Sequence, residues 1–196
     1  MLEKLLETDE ALFLFLNKLG NSNWDNFWLV VTHKFTFIPL YAILLFLIYK
    51  RYGLKALIFL VVIIAAMITF TDQITNLFKH GFMRPRPCKQ VYLVDEGIRF
   101  IAKRCGRYGF FSGHSSNSMA AAVFGGLLLR PYFKNLLYLL VLWSIMVAYS
   151  RIYVGVHYPL DIIFGMLFGA LSGIAFYKIA KIVIRKYASS EDDKVD

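Results

Sequence analysis

Between two strongly apolar segments lies the stretch Ser150-Arg151-Ile152-Tyr153-Val154-Gly155-Val156-His157-Tyr158-Pro159-Leu160-Asp161, with an arginine, a histidine and an aspartate close together. Ionisable groups beside hydrocarbon are costly, so such a cluster at a membrane boundary marks a functional site. His157 and Asp161 stand four residues apart with Pro159 between them. Proline suits the first helical position, which would put Asp161 in a first turn where the helix dipole favours a carboxylate. From there it can reach back to the imidazole. A carboxylate holding one ring nitrogen leaves the other aimed as a nucleophile or base.

Two further stretches carry matching chemistry: KHGFMRPRP from Lys79 to Pro87, and FSGH from Phe111 to His114. Lys79, Arg86 and Arg151 supply cations, and Ser112-Gly113 at a helix start offers backbone N–H groups to an anion. His114 adds a second imidazole able to titrate near neutral pH. Together these groups describe a phosphate pocket. Arg84 and Asp72 are additional candidates. A solvated loop charge is the plainer reading of Arg84, and a buried polar contact to Lys79 or Arg151 that of Asp72. Asn117 and Ser118 read as helix-packing hydrogen bonds.

The elements that must position these groups follow from the apolar pattern. The chain has 196 residues, 58% hydrophobic and 17% aromatic, with mean hydropathy +0.56, well above the roughly 45–50% apolar content of soluble domains. We therefore expect an all-α, polytopic membrane helix bundle, with residues 1–187 as a single integral membrane domain and 188–196 as a polar tail. Leu2 to Leu19 has the spacing of an amphipathic helix, with Leu2, Leu5, Leu6, Leu12, Phe13, Leu16 and Leu19 along one side. Its early charges suit the interface better than a crossing.

About five transmembrane helices are expected after it. The first runs from Trp24 to Tyr49, with His33 and Lys34 near its start and Trp24 and Trp28 as interfacial anchors. The second runs from Gly53 towards Lys79, and the third, rich in small residues, from Ser115 to Leu129. The fourth spans Leu136 to Tyr149, and the fifth starts at Pro159, with Gly165, Gly169 and Gly173 on one tightly packing face. Residues 79–111 form a long extramembrane loop. Counting crossings puts the end of the second helix, the start of the third, the end of the fourth and the start of the fifth on one side. All the polar clusters then converge.

The order Lys79-x6-Arg86-Pro87, Ser112-Gly113-His114 and Ser150-Arg151-x5-His157-x3-Asp161 resembles the three-part signature of the type 2 phosphatidic acid phosphatase family. These membrane lipid phosphatases share a site with vanadium haloperoxidases. The resemblance covers about residues 70 to 175, and Phe111 departs from it where the family usually has proline before Ser-Gly-His. It implies that His157 attacks phosphorus, that Asp161 orients it, and that His114 protonates the leaving oxygen and then activates water. Lys79, Arg86, Arg151, Ser112 and the Gly113 amide would hold the phosphoryl oxygens. No metal or cofactor is implied, the cations supplying the charge.

The implied activity is hydrolysis of a membrane lipid phosphate or diphosphate through a phosphohistidine. Undecaprenyl diphosphate is the first expectation, with phosphatidylglycerol phosphate, phosphatidate and lipid A as alternatives. From another class, an anion or lipid transporter would call for interrupted helices near the midplane, which the sequence lacks.

The net charge of +9 is divided among membrane-flanking loops, which argues for anionic lipid and against nucleic acid. No obligatory protein partner is evident. Cys88 and Cys105 both fall in the long loop, where a disulfide on an oxidising face and two free thiols both remain open. The short-loop charges and the cysteine pair place the polar face outside, with a bacterial inner membrane as the expected location.

Overall fold

The computed structural model describes residues 1–188, and the polar tail from 189 onward lies outside the described residues. Among these, seven α-helices and one 3-10 turn account for the regular structure: α1 (Leu2–Lys18), α2 (Ser22–Thr32), α3 (Ile38–Phe82), the 3-10 turn (Pro87–Lys89), α4 (Val91–Asp95), α5 (Gly113–Leu129), α6 (Leu136–Tyr153) and α7 (Pro159–Ala188). Three of them, α3, α6 and α7, are long and apolar enough to cross a membrane.

The α3 segment is two arms rather than one rod. Gly53 interrupts it at φ 75°, ψ 175°, a conformation glycine adopts without a Cβ penalty. A straight helix would separate Tyr41 from Asp72 by roughly 1.5 Å per residue, yet both line one cavity. The chain therefore folds back at Gly53. The two arms, α5, α6 and α7 make the five expected apolar elements, with α5 at 17 residues one residue shorter than α6.

Helix α5 is the axis of the bundle. Ala120, Ala122, Phe124, Leu128 and Leu129 are buried against Leu44 and Ile48 of the first α3 arm, Leu60 and Met67 of the second, Leu140 of α6 and Ala180 of α7. Its approach to α7 depends on the glycine face read from sequence. A Cβ at Gly165 would lie 2.7 Å from the Ser112 carbonyl oxygen, and one at Gly173 2.8 Å from that of Ala120. Backbone-to-backbone contact of this kind is what small-residue faces permit.

The expectation for the segment after α1 needs correction. The segment from Trp24 to Tyr49 is not one crossing. It is α2, a break at residues 33–37, and then the first arm of α3, which carries Pro39 in its first turn. A proline there starts a helix rather than continuing one. Trp28 packs on Tyr149 and Tyr153 of α6 instead of standing free as an anchor. In α1 the buried residues are Asp9, Phe13 and Asn17, while Leu2, Leu5, Leu6, Leu12 and Leu19 are exposed. The polar pair goes inward because the protein supplies partners: Asn17 donates to the Arg99 and Ile152 carbonyls and accepts from the Arg99 N–H.

Candidate active site

Every element end predicted to converge does so. Lys79 lies in the last turn of α3, Ser112 caps α5, Arg151 is in the last turn of α6, and Asp161 is in the first turn of α7. His157 sits in the connection between α6 and α7. That connection turns at Gly155, φ 81°, where a Cβ would stand 2.6 Å from the Arg99 carbonyl oxygen. Only glycine satisfies both the left-handed backbone and that approach.

A cavity of about 430 Å³ opens on this convergence. Asp72, Lys79, Arg86, Gly113, His114, Arg151 and His157 line it, together with His33, Lys34, Tyr41 and Asn117. The Nδ1 atom of His157 is 3.1 Å from Asp161 Oδ2, and both side chains are buried. Asp161 Oδ2 also accepts from the Tyr158 N–H at 3.2 Å, and Oδ1 accepts from Arg84 at 3.0 Å. With the carboxylate so fixed, Nε2 is the ring nitrogen that Asp161 leaves unengaged. Burial first, then the charges of Arg86, Arg151 and Lys79, hold the His157 imidazole well below its ordinary pKa. It is therefore neutral, the form that can attack an electrophile.

Arg86 reaches the site from the long loop. Its Nε donates to the Tyr108 carbonyl at 2.9 Å, beside the antiparallel bridge of Pro85 with Tyr108 and the Gly109 N–H bond to the Arg84 carbonyl. A Cβ at Gly109 would be 2.9 Å from Asp161 Oδ2 and 3.6 Å from His157 Nδ1, so the loop backbone covers the imidazole–carboxylate pair. Cys88 and Cys105 are joined in a disulfide, Cα–Cα 6.3 Å, that ties the two sides of this loop together. Phe111 is buried against Phe78 and Phe168.

Three sequence candidates have different surroundings from those expected. Arg84 does not line the cavity. It lies behind the pair, bonded to Asp161 and to Asp9 of α1, with its guanidinium over the Tyr158 ring at 4.1 Å. It is thus not a solvated loop charge, and it stands apart from the cations that line the cavity. Asp72 is held by Asn117, which donates to it at 2.8 Å, rather than by an ion pair with Lys79 or Arg151. Ser112 is fully buried, its hydroxyl accepting from the Ser115 N–H and hydroxyl, and its N–H donating to the Asp161 carbonyl. It caps α5 and locks it to α7, whereas Gly113 and His114 reach the cavity.

Sequence reasoning passed over Asp9, Thr32, Gly109 and Tyr41. Thr32 accepts from Arg151 Nη1, and Tyr41 lines both the polar cavity and an apolar one of about 330 Å³. Leu44, Ile48, Ile64, Met67 and Phe124 line the apolar cavity, and Asn117 is also shared between the two. The glycine at 109 was a visible signal in a loop of charged residues. Asp9 gave none, being one acid among several in an amphipathic helix.

A neutral, carboxylate-held imidazole facing a cluster of cations and a helix N-terminus is built for phosphoryl transfer. The chain belongs to the PAP2 superfamily, whose family model matches residues 55–185, and it is a membrane lipid phosphatase. It is 35% identical over 182 residues to a lipid A 4'-phosphatase of Bacteroides thetaiotaomicron, covering 92% of this chain and 80% of that protein. A lipid A 4'-phosphatase of Porphyromonas gingivalis is 33% identical, with 91% and 75% covered. An undecaprenyl-diphosphatase of Sulfolobus acidocaldarius is 29% identical, with 89% and 71% covered. Among solved structures, LpxE of Aquifex aeolicus matches at TM-score 0.68 and 24% identity over 86% of this chain and 93% of that one. A transmembrane PAP2-type phosphatidylglycerolphosphate phosphatase of Bacillus subtilis matches at TM-score 0.69 and 16% identity, over 98% and 88%. These likenesses show the shared fold.

Proposed function

We propose that the protein hydrolyses a phosphate monoester of a lipid A-type glycolipid, through a phosphohistidine formed on His157. The observation that carries the chemistry is the buried His157–Asp161 pair, opening on a cavity that His114, Lys79, Arg86 and Arg151 also line. Nε2 of His157 attacks phosphorus while the bond from phosphorus to the lipid oxygen breaks. His114, whose protonated form is favoured by the negative charge of the bound phosphate, gives that oxygen its proton. Water then attacks the phosphohistidine, His114 takes a proton from it, and inorganic phosphate leaves with His157 restored. Lys79, Arg86, Arg151 and the Gly113 N–H group neutralise the equatorial oxygens in both steps, where the charge of the transition state is spread.

The choice of lipid rests on the relatives. Two lipid A 4'-phosphatases match at 35% and 33% identity, whereas the undecaprenyl-diphosphatase, the substrate first expected from sequence, matches at 29%. The apolar cavity that continues from the site between the α3 arms and α5 supports a substrate with a hydrocarbon chain. The disulfide in the loop supports an active site on the oxidising, outer face of a bacterial inner membrane.

Phosphate release from lipid A, undecaprenyl diphosphate, phosphatidylglycerol phosphate and phosphatidate, measured side by side in one detergent, tests the assignment. The highest kcat/KM is expected with lipid A. A larger value with undecaprenyl diphosphate would return the assignment to the carrier lipid.

A further inference from the structure

The N-terminal helix lies outside the residues matched to the family, which begin at residue 55, yet it sends a carboxylate to the rear of the catalytic pair. Asp9 is 4% exposed. Its Oδ2 lies 2.6 Å from Arg84 Nη2 and its Oδ1 accepts from the Leu160 N–H at 2.8 Å. Leu160 adjoins Asp161, and the same guanidinium donates through Nη1 to Asp161 Oδ1. Two carboxylates from distant parts of the chain therefore share one arginine. Burial raises the pKa of Asp9, and the hydrogen bonds from Arg84 and the Leu160 N–H oppose that rise.

We propose that Asp9 is a positioning residue for the reaction, acting through Arg84 on Asp161, so that α1 is a working part of the active site. This rests on the reading of His157 as the nucleophile. Asp9 holds the guanidinium so that it reaches only Oδ1 of Asp161, which leaves Oδ2 to His157 Nδ1 and the Tyr158 N–H. Without that hold, Arg84 can turn its planar fork onto both oxygens, the geometry an arginine favours with a lone carboxylate. It would then compete with the imidazole for Oδ2, and the nucleophile would lose its aim. The charge balance changes in the same direction, because one positive charge behind the pair would no longer be divided between two acids.

Docking of α1 has other supports, so the helix remains in place when Asp9 is changed. Asn17 bonds the Arg99, Ile152 and Tyr153 carbonyls, and Phe13 packs edge-on against Tyr158 with ring centroids 5.4 Å apart. This separates the two roles experimentally.

The test measures kcat and KM for phosphate release from lipid A by full-length protein in detergent, for Asp9→Asn, Arg84→Gln, their double variant, Asn17→Ala and His157→Ala. For Asp9→Asn, kcat is expected to fall about tenfold or more with KM within about twofold, the scale of a small misplacement of a reacting group. The double variant should match Arg84→Gln within about twofold, since residues that act through one another are not additive. Asn17→Ala should lower the melting temperature and leave kcat within about twofold, because it loosens α1 without touching the Asp9–Arg84 pair.

A wild-type kcat for Asp9→Asn would overturn the proposal. So would losses that multiply in the double variant, or an Asn17→Ala loss equal to that of Asp9→Asn. Turnover by His157→Ala would overturn both this proposal and the reading beneath it. An inactive His157→Ala beside an unimpaired Asp9→Asn would remove the role of Asp9 alone.

Discussion

The two sides of the His157–Asp161 pair are both cationic, but they differ in what their cations face. Behind the pair, Arg84 is held by Asp9 and Asp161 and stacked over Tyr158. In front, Lys79, Arg86 and Arg151 line the cavity, and among the described residues none of these three forms a salt bridge. Arg86 donates to a carbonyl, Arg151 to a hydroxyl, and buried Arg151 Nε has no hydrogen-bond partner among the described residues. A guanidinium already bonded to two carboxylates has little to offer a phosphate. Cations paired only with neutral acceptors keep their charge for an anion. The arginines of one sequence motif, two residues apart, thus have opposite surroundings: Arg86 faces the cavity, and Arg84 is bonded behind the pair to Asp161 and Asp9.

That contrast gives a ranked set of expectations for purified protein. His157→Ala should lower kcat by at least about a thousandfold, since no neighbouring group replaces the nucleophile. Loss of a front cation comes next: Arg151→Gln should cost on the order of a hundredfold in kcat, as removing one preorganised donor to the transition state does. Arg84→Gln, behind the pair, should cost about tenfold, through orientation alone. An effect of Arg84→Gln as large as that of Arg151→Gln would erase the distinction between the two sides. At the small end, Leu44→Trp, filling the apolar cavity, should raise KM a few fold on a lipid substrate while leaving kcat near wild type.

The pH profile sharpens the same picture. The folded pKa of His157 lies well below its ordinary value, through burial and the front cations, so the imidazole remains neutral where a free one, near about 6.5, gains a proton. The acid limb of kcat/KM set by His157 should accordingly fall below about pH 6.5. Arg86→Met, which removes one of the charges that lower the pKa, should move that limb upward. The linkage runs against stability. Below about pH 6.5 the unfolded chain takes up the proton that the folded site refuses, so the His157 contribution to stability declines on acidification. Melting temperatures in detergent across that range, compared with those of His157→Asn, measure it.

Much of this site could be read from sequence because its groups sit at element ends. Lys79, His114, Arg151, His157 and Asp161 each lie beside a change from apolar to polar sequence, and helix counting brings those ends together. The glycine spacing of α7 likewise announced its close contact with α5. What sequence hid were partnerships across long separations. Asp9 and Asn17 are buried because acceptors and donors from Arg84, Arg99 and Leu160 meet them, and nothing in an amphipathic pattern encodes that. The Trp24–Tyr49 region was misjudged for a different reason. Hydropathy runs through the break at residues 33–37, and the local signals, His33-Lys34 and Pro39, were outweighed by the apolar average. Arg84 was misplaced because its charge suggested solvent or phosphate, while its surroundings supply two carboxylates.

The central claim is that His157 carries the phosphoryl group between the two half-reactions. Mixing protein with excess substrate labelled in the phosphate, quenching in alkali within milliseconds and mapping the label by mass spectrometry tests it directly, with His114→Ala used to slow hydrolysis of the intermediate. The account predicts an acid-labile, alkali-stable phosphoryl group on the peptide containing His157, formed as fast as the lipid product is released. Product release at the normal rate with no label on the protein, or with the label on another residue, would contradict it.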